Sequence, residues 1–265
     1  MRKPILLVGA GHMGGALLRG WVEAGIGPVT VVEPKPAPAM RKLAGVTFLK
    51  NIEDATGRYR ACVVALKPQV LKSEAARLKL VVDSGAPMIS IAAGTTIKSL
   101  AGAWGPEARI LRAMPNLPGA IGQGISALYA GPNIRAKDKA LAQSLLAALG
   151  ETVWVSRESM IDIVTAGSGS GPAYVFLLAE ALAAAAQAEG LPRAAAERLA
   201  RATIIGSGAL LAHDKRPAGT LREGVTSPGG TTEAALRILM ARGGLKSLMA
   251  RAVSAARKRA KVLGA

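Results

Sequence analysis

A glycine-rich turn near the amino terminus constrains the fold more than any other feature of the chain. Residues 4–8 are apolar and predict a buried strand, and a helical pattern then runs on to Val22. Between them stands the turn Gly9-Ala10-Gly11-His12-Met13-Gly14. Glycines permit a tight turn and let an anionic group approach the unpaired N–H groups at the start of a helix. The sequence therefore predicts the strand–turn–helix unit that opens a parallel sheet.

Short apolar runs with the length of strands recur before residue 156. They lie at 29–32, 61–66, 88–91 and 110–114, with further candidates at 124–129 and 151–155. Helical segments alternate with these runs. We therefore predict an α/β fold that begins with a Rossmann-type, doubly wound and mostly parallel sheet.

The strand pattern ends near residue 158, and alanine-rich helical patterns begin. They cover 172–189, 193–212 and 245–263, and residues 167–174 predict a flexible entry into the first of them. We predict a dinucleotide-binding domain over residues 1–157 and an all-helical domain over residues 158–265. The first long helix is apolar on more than one face, which favours burial on several sides, including against a second subunit.

The charge of the chain allows two interpretations. The formal net charge is +17 at pH 7, and 3% of the 265 residues are aromatic. A positive net charge of this size favours binding to nucleic acid, but the basic residues are spread widely and no nucleic-acid-binding motif occurs. The densest group, Arg251, Arg257, Lys258, Arg259 and Lys261, falls on the last predicted helix and is typical of a solvated face. We expect no nucleic-acid partner.

The few cysteine and histidine residues limit the kinds of site that are possible. Cys62 is the only cysteine and lies in an apolar run, so we expect a buried thiol, no disulfide and no cysteine-based metal centre. The two histidines are His12 and His213, and we predict no metal site.

The apolar segments predict neither a signal peptide nor a membrane span. The first apolar run stops at Gly9, and no small-residue cleavage pattern follows. The most apolar stretch, residues 173–188, includes Glu180 and is about 16 residues long, short of the roughly 20 that a span needs. We predict a soluble cytoplasmic protein with no membrane partner.

An acidic residue, Glu33, follows the second predicted strand. A carboxylate at this position of a dinucleotide fold hydrogen-bonds a ribose 2′-hydroxyl and repels a 2′-phosphate. Lys35 and Arg41 stand nearby in the sequence and would offset part of that repulsion. The predicted cofactor is NADPH or NADH, with Glu33 favouring NADH.

Ligands of open α/β sheets lie beyond the carboxyl ends of the strands. The residues at or near these ends are predicted to bind the cofactor: Gly9, Ala10, Gly11, His12, Met13, Gly14, Glu33, Asn51, Ala65, Leu66, Lys67, Pro68, Ala92, Ala93, Gly94 and Asn116. Lys67 fits a solvated loop equally well, and His12 fits the surface of the turn better than a catalytic base. Asn116 stands in a stiff turn between Pro115 and Pro118, from which it would reach the surroundings of the nicotinamide.

A second glycine-rich loop lies near the carboxyl terminus. The segment Val225-Thr226-Ser227-Pro228-Gly229-Gly230-Thr231-Thr232-Glu233 carries four hydroxyl side chains and leads into a helical pattern. The first turn of a helix has unpaired N–H groups and a positive dipole end, which hold a carboxylate or a phosphate. Because the turn at 9–14 already supplies a phosphate site, we expect this loop to hold a small carboxylate.

Five motifs occur in the order and spacing of one enzyme family. They are the glycine turn, Ala65-Leu66-Lys67-Pro68, Arg112-Ala113-Met114-Pro115-Asn116, Gly169-Ser170-Gly171-Pro172-Ala173-Tyr174 and Thr226-Ser227-Pro228-Gly229-Gly230-Thr231-Thr232. Together they span nearly the whole chain and resemble pyrroline-5-carboxylate reductase. The last motif is the most specific, since the others recur in related dehydrogenases.

The resemblance implies NAD(P)H-dependent reduction of 1-pyrroline-5-carboxylate to L-proline, the last step of proline biosynthesis. It also implies a homodimer with interlocked helical domains, often assembled into a ring of dimers. Residues 158–265 would then be the substrate and dimerisation domain. In the family, the active site forms between the cofactor domain of one subunit and the helical domains of the dimer.

The resemblance also implies roles for single residues. Ser227, Gly230, Thr231 and Thr232 would bind the substrate, with the amides and the Ser227 hydroxyl on its carboxylate and the Thr232 hydroxyl facing the ring nitrogen. The predicted catalytic residues are Thr232, Ser227 and Glu158, of which Thr232 and Glu158 are candidates for handling the proton. Glu158 also fits a plain carboxylate at a helix start, and an imine that arrives protonated needs no acid.

The sequence departs from the family pattern at two positions and leaves two other functions open. Glu33 stands where many members carry a phosphate-tolerant residue, and Gly224 stands where some carry Asn. A hydroxyacid dehydrogenase or imine reductase of the same architecture is one alternative, but the lysine typical of such enzymes is absent between Thr152 and His213. A regulatory protein that binds the cofactor without catalysis is the other.

Overall fold

Eight strands form one sheet in the computed structural model, which describes residues 3–263. The strands are β1 (Ile5–Val8), β2 (Val29–Val32), β3 (Val46–Leu49), β4 (Cys62–Val64), β5 (Met88–Ser90), β6 (Ile110–Met114), β7 (Gly124–Ala130) and β8 (Gly150–Trp154). Their order is β3-β2-β1-β4-β5-β6-β7-β8, and only the β6–β7 pair is antiparallel among these strands. The predicted doubly wound, mostly parallel sheet is confirmed.

The third strand, β3, was not predicted from the sequence. It lies at one edge of the sheet and pairs with β2 alone among the described strands. Thr47 is exposed and its neighbours are only partly buried. Because an edge strand buries little, its sequence lacks the continuous apolar run that identifies the inner strands.

Helices cover both faces of the sheet. In this part of the chain they are α1 (His12–Glu23), α2 (Pro68–Glu74), α3 (Lys79–Asp83), α4 (Ile97–Trp104), α5 (Ala136–Leu146) and α6 (Ser159–Val164). Trp21 of α1 is fully buried in one core layer and donates from its indole nitrogen to the Leu145 carbonyl at 2.8 Å. Trp104 of α4 lies in the other layer and donates to the Ala75 carbonyl at 2.8 Å. Each buried indole N–H is therefore paired, as burial requires.

Cys62 lies within the central strand β4. Its side chain is fully buried, and this burial raises the pKa of the Cys62 thiol well above its ordinary value. The prediction of a buried thiol is confirmed.

The first compact unit of the chain extends past the predicted domain boundary between residues 157 and 158. It runs to Ser170 and also includes residues 256–263. The added segment consists of α6, which lies against β6 and β7, and a π-helical turn over Thr165–Gly169. The Ser170 N–H donates to the Thr165 carbonyl at 2.9 Å. The glycine-rich stretch at 167–174 is thus helical, unlike the flexible entry that the sequence predicts.

The second compact unit, Gly171–Ala255, is helical. Its helices are α7 (Gly171–Ala188), α8 (Arg193–His213), α9 (Ala218–Gly224), α10 (Thr231–Leu239) and α11 (Leu245–Leu263), the last of which ends in the first unit. Ala196 and Ala200 are its buried apolar residues, whereas Phe176 and Leu177 on α7 are 55% and 63% exposed. An apolar surface of this kind indicates contact with another protein surface.

One helical run among the described residues is long and apolar enough to cross a membrane when judged by length and composition. It covers Ser159–Ala188 with a mean hydropathy of 1.3. The sequence prediction considered only residues 173–188. The structure joins them to α6 through the π-helical turn and so lengthens the apolar helix.

Candidate active site

The glycine turn after β1 is tightly folded. Gly9 has φ +90°, and a Cβ atom on Gly14 would lie 2.1 Å from the Gly9 carbonyl oxygen. Gly11, which precedes the first residue of α1, has no atom within 4 Å of the place where its Cβ would be. Two glycines therefore permit the turn, and the third leaves open space before the helix N-terminus.

Glu33 contacts the glycine turn directly. One oxygen of its carboxylate accepts the Ala10 N–H at 2.9 Å, and the other accepts the Lys35 N–H at 3.1 Å. A carboxylate has about four lone-pair positions, so acceptor capacity remains after these two bonds. Glu33 thus holds the turn and also presents a negative charge at the end of β2.

The other predicted cofactor residues follow the carboxyl ends of further parallel strands. Asn51 follows β3, residues 65–68 follow β4, residues 92–94 follow β5, and Asn116 follows β6. Because these strands are parallel to β1, the segments lie along the same edge of the sheet as the glycine turn. Lys67 is exposed at the start of α2, as a solvated loop residue would be.

Asn116 uses both polar atoms of its side chain within the chain. Its Oδ1 accepts the Ile125 N–H at 2.9 Å, and its Nδ2 donates to the Ser168 hydroxyl at 3.2 Å. The side chain therefore joins the end of β6 to the start of β7 and to the π-helical turn. Any contact with a cofactor would use its remaining hydrogen-bonding capacity.

Glu158 is linked to an arginine that the sequence interpretation did not single out. The Oε1 atom of Glu158 accepts the Ile97 N–H at 2.7 Å and a hydrogen bond from Arg112 Nη1 at 3.0 Å. The Arg112 side chain is 2% exposed, and its Nη2 atom is buried with no hydrogen-bond partner among residues 3–263. In the sequence, Arg112 is a charged residue inside the apolar strand 110–114 and opens one of the five family motifs, but neither signal indicates a contact with Glu158.

The loop before α10 is held by contacts within itself. The Gly229 N–H donates to Glu233 Oε2 at 2.6 Å, and the Gly230 N–H donates to the Ser227 carbonyl at 3.0 Å. The N–H groups of Thr231 and Thr232, at the first turn of α10, have no hydrogen-bond acceptor within the described chain. Of the three predicted amides, those of Thr231 and Thr232 are therefore free to bind an anion, and that of Gly230 is occupied.

A cavity of about 340 Å³ lies beside this loop, within the second unit. Its walls combine charged and apolar side chains, namely Arg222, Glu223, Thr226, Glu233, Leu236, Arg237 and Met240. The sequence interpretation did not identify it, because its walls come from two helices and the loop between them.

The doubly wound sheet with its glycine turn and free helix N-terminus, followed by a helical half, is typical of dinucleotide-dependent oxidoreductases. A sequence model described as "NADP oxidoreductase coenzyme F420-dependent" matches residues 4–94, and one described as "Pyrroline-5-carboxylate reductase dimerisation" matches residues 158–263. With the relatives described next, these matches show that the chain belongs to the pyrroline-5-carboxylate reductase family.

The similarity extends over essentially the full length. A pyrroline-5-carboxylate reductase from Pseudomonas aeruginosa is 36% identical over 259 residues, which are 96% of this chain and 94% of the relative. The structure of a pyrroline-5-carboxylate reductase from Coxiella burnetii superimposes with a TM-score of 0.91 at 33% identity and covers 100% of both chains. A pyrroline carboxylate reductase from Plasmodium falciparum, solved with NADP bound, has a TM-score of 0.84 at 29% identity and covers 99% of this chain and 98% of its own.

The family assignment confirms the resemblance seen in the sequence. It also confirms an oxidoreductase that uses a nicotinamide cofactor, acts on a small molecule and associates through its helical domain. Within residues 3–263, no group of three or more His, Cys, Asp or Glu side chains is arranged to hold a metal ion.

Proposed function

We propose that this chain reduces 1-pyrroline-5-carboxylate to L-proline. The observation that carries the proposal is the start of α10, where the Thr231 and Thr232 N–H groups are free and the Ser227 and Thr232 side chains supply hydroxyls. The substrate is a small anion with one ring imine. A helix N-terminus with free donors suits its carboxylate.

Each residue of the loop has a separate task in this proposal. The Thr231 and Thr232 amides and the Ser227 hydroxyl hold the carboxylate, while the Gly230 amide keeps the loop closed through the Ser227 carbonyl. The Thr232 hydroxyl faces the ring nitrogen and handles its proton. A substrate that arrives as the protonated imine needs only orientation there, so positioning would account for most of the catalysis.

The residues at the carboxyl edge of the sheet fit a nicotinamide dinucleotide. Gly9, Gly11 and Gly14 would cradle its pyrophosphate, Glu33 would meet a ribose, and the segments after β4, β5 and β6 would hold the remainder. When bound, the cofactor supplies the hydride that reduces the imine carbon.

A spectrophotometric assay tests the proposed function. Purified protein is mixed with 1-pyrroline-5-carboxylate and either NADH or NADPH, and nicotinamide oxidation is followed by absorbance. We expect substrate-dependent oxidation. Cofactor binding without turnover would contradict the reductase and support the alternative of a non-catalytic regulatory protein.

We further propose that Glu33 favours NADH, and the conservative variant Glu33→Gln provides the test. Gln retains an oxygen for the Ala10 N–H but removes the charge that would repel a 2′-phosphate. We expect the ratio of kcat/KM for NADPH to that for NADH to rise by about tenfold, because a charge contact of this size is worth about 1.4 kcal/mol. A wild-type enzyme that already prefers NADPH strongly would contradict the proposal.

We also propose that the exposed apolar face of α7 packs against a second copy to form a homodimer, the unit from which a ring of dimers would assemble. Leu177 lies within the segment matched by the dimerisation family and is 63% exposed. The variant Leu177→Asp should weaken the dimer about 30-fold, equivalent to about 2 kcal/mol, as measured by sedimentation across a dilution series.

Leu80→Asp is the matched control for this test. Leu80 is 50% exposed on α3, outside the dimerisation segment. It should leave sedimentation as in the wild type. If the Leu177→Asp protein sediments as the wild type does across the dilution series, α7 does not form the interface.

A further inference from the structure

We propose that Glu158 and Arg112 form a positioning pair that fixes the cofactor-binding loop between β5 and α4. In this arrangement Glu158 is not the proton donor. The proposal rests on the proposed function, because it takes residues 92–94 of that loop to contact the cofactor. Two donors that are far from Glu158 in the sequence, the Ile97 N–H and Arg112 Nη1, bind the same carboxylate oxygen, Glu158 Oε1.

The first contact of Glu158 is with the start of α4. Ile97 is the first residue of this helix, and its N–H donates to Glu158 at 2.7 Å. Thr96 caps the same helix locally by accepting the Ser99 N–H at 3.1 Å. The α4 N-terminus therefore has two caps, one from its own loop and one from the start of α6. The remote cap ties the β5–α4 loop to another element of the first unit.

The second contact of Glu158 is with the buried guanidinium of Arg112. It projects from β6, whose end leads into Asn116, and among residues 3–263 its ion pair is with Glu158 at 3.0 Å. A buried charge without a partner is strongly unfavourable. Arg112 therefore needs Glu158, and the need is greater because Arg112 Nη2 already has no hydrogen-bond partner in the described chain.

Through these two contacts, the Glu158 carboxylate lies between two segments that are proposed to bind the cofactor. The β5–α4 loop and the end of β6 both lie at the carboxyl edge of the sheet, next to each other. Glu158 Oε1 accepts one hydrogen bond from the start of α4 and one from β6, and so fixes the position of the β5–α4 loop relative to β6. Both donors, the Ile97 N–H and Arg112 Nη1, belong to the chain itself. A carboxylate with such partners positions protein segments.

The test compares two variants of Glu158 in the full-length protein. Glu158→Gln keeps an oxygen for the Ile97 N–H and for Arg112, whereas Glu158→Ala removes it. We expect Glu158→Ala to raise the dissociation constant for NADH or NADPH, measured by nicotinamide fluorescence, about tenfold. Glu158→Gln should restore affinity to within about threefold of the wild type. Glu151→Ala, which removes an exposed carboxylate from β8, is the control and should bind as the wild type does.

A double variant separates loop positioning from folding. Arg112→Met combined with Glu158→Ala removes the buried charge together with its partner, so its melting temperature should recover relative to Glu158→Ala. Its cofactor affinity should stay low, because the Ile97 N–H still lacks its cap. If affinity recovers together with the melting temperature, the pair only stabilises the fold and the proposal is wrong.

Turnover provides the decisive alternative outcome. Suppose that both variants, Glu158→Gln and Glu158→Ala, lose kcat to the same extent and bind the cofactor as the wild type does. Glu158 is then a proton donor, and the positioning role is overturned. If the wild type shows no turnover with 1-pyrroline-5-carboxylate, the proposed function fails instead. The fluorescence titrations then still decide whether Glu158 positions the loop.

Discussion

Replacing Gly14 by alanine is expected to destabilise the first unit and to weaken dinucleotide binding at least about tenfold. The added Cβ atom would lie 2.1 Å from the Gly9 carbonyl oxygen and 3.0 Å from the Ala65 Cβ atom. The oxygen is a backbone atom in a turn with φ +90°, so it cannot yield as a flexible side chain would. The start of α1 must shift away from β1, at a cost of about 3 kcal/mol.

Gly11→Ala is the matched control for the loss of stability. A Cβ atom at Gly11 meets no atom within 4 Å, and the backbone there, with φ −66°, suits any residue. We expect the melting temperature to fall by roughly 6 to 12 °C for Gly14→Ala and by only a few degrees for Gly11→Ala, at equal protein concentration. Both variants should bind NADH and NADPH at least about tenfold more weakly, because the methyl group of Gly11→Ala enters the space before the helix N-terminus. A Gly14→Ala protein with wild-type stability would show that the close approach of the two segments is not required.

The contrast between these two glycines shows what a local sequence pattern can predict. The spacing of the turn predicted both positions as cofactor contacts and could not separate their tasks. The separation depends on two distances from Gly14, one across the turn to Gly9 and one to Ala65, and the second arises only when β1 and β4 pair. Strand existence was easier to predict, because each inner strand buries a continuous apolar run.

The elements that escaped prediction depend on contacts between distant parts of the chain. Arg112 and Glu158 are 46 residues apart, and their ion pair exists because α6 packs against β6 and β7. The edge strand β3 gains its conformation from pairing with β2 rather than from its own half-buried sequence. In both cases tertiary structure determines the outcome, and local propensity carries little of that information.

The substrate loop, residues 225–233, was predicted in part from the sequence. Its glycines and hydroxyls predicted a helix start with free donors, and α10 does begin at Thr231. The sequence did not predict that Glu233 accepts the Gly229 N–H or that Ser227 accepts the Gly230 N–H. These bonds occupy the Gly229 and Gly230 N–H groups and leave those of Thr231 and Thr232 for a ligand.

The hydroxyl of Thr232 is expected to contribute more to turnover than any other single group of the loop. Thr232→Val removes the hydroxyl while keeping the branched shape of the side chain, so the start of α10 should stay intact. If the hydroxyl handles the proton of the ring nitrogen, kcat should fall by about 100-fold, the lower end of what positioned acid–base groups supply. Thr232→Ser keeps a hydroxyl and should retain kcat to within about fivefold.

Cofactor affinity separates this role from a general disturbance of the protein. The Thr232 side chain belongs to the second unit, whereas the residues proposed to cradle the dinucleotide belong to the first. The dissociation constants of NADH and NADPH, measured by fluorescence titration, should therefore be the same for Thr232→Val, Thr232→Ser and the wild type. A Thr232→Val protein that loses turnover and cofactor affinity to the same extent would assign this loop to the cofactor. A Thr232→Val protein that keeps full turnover would show that the imine receives its proton from solvent before it binds. Thr232 would then bind only the substrate carboxylate, through its N–H group.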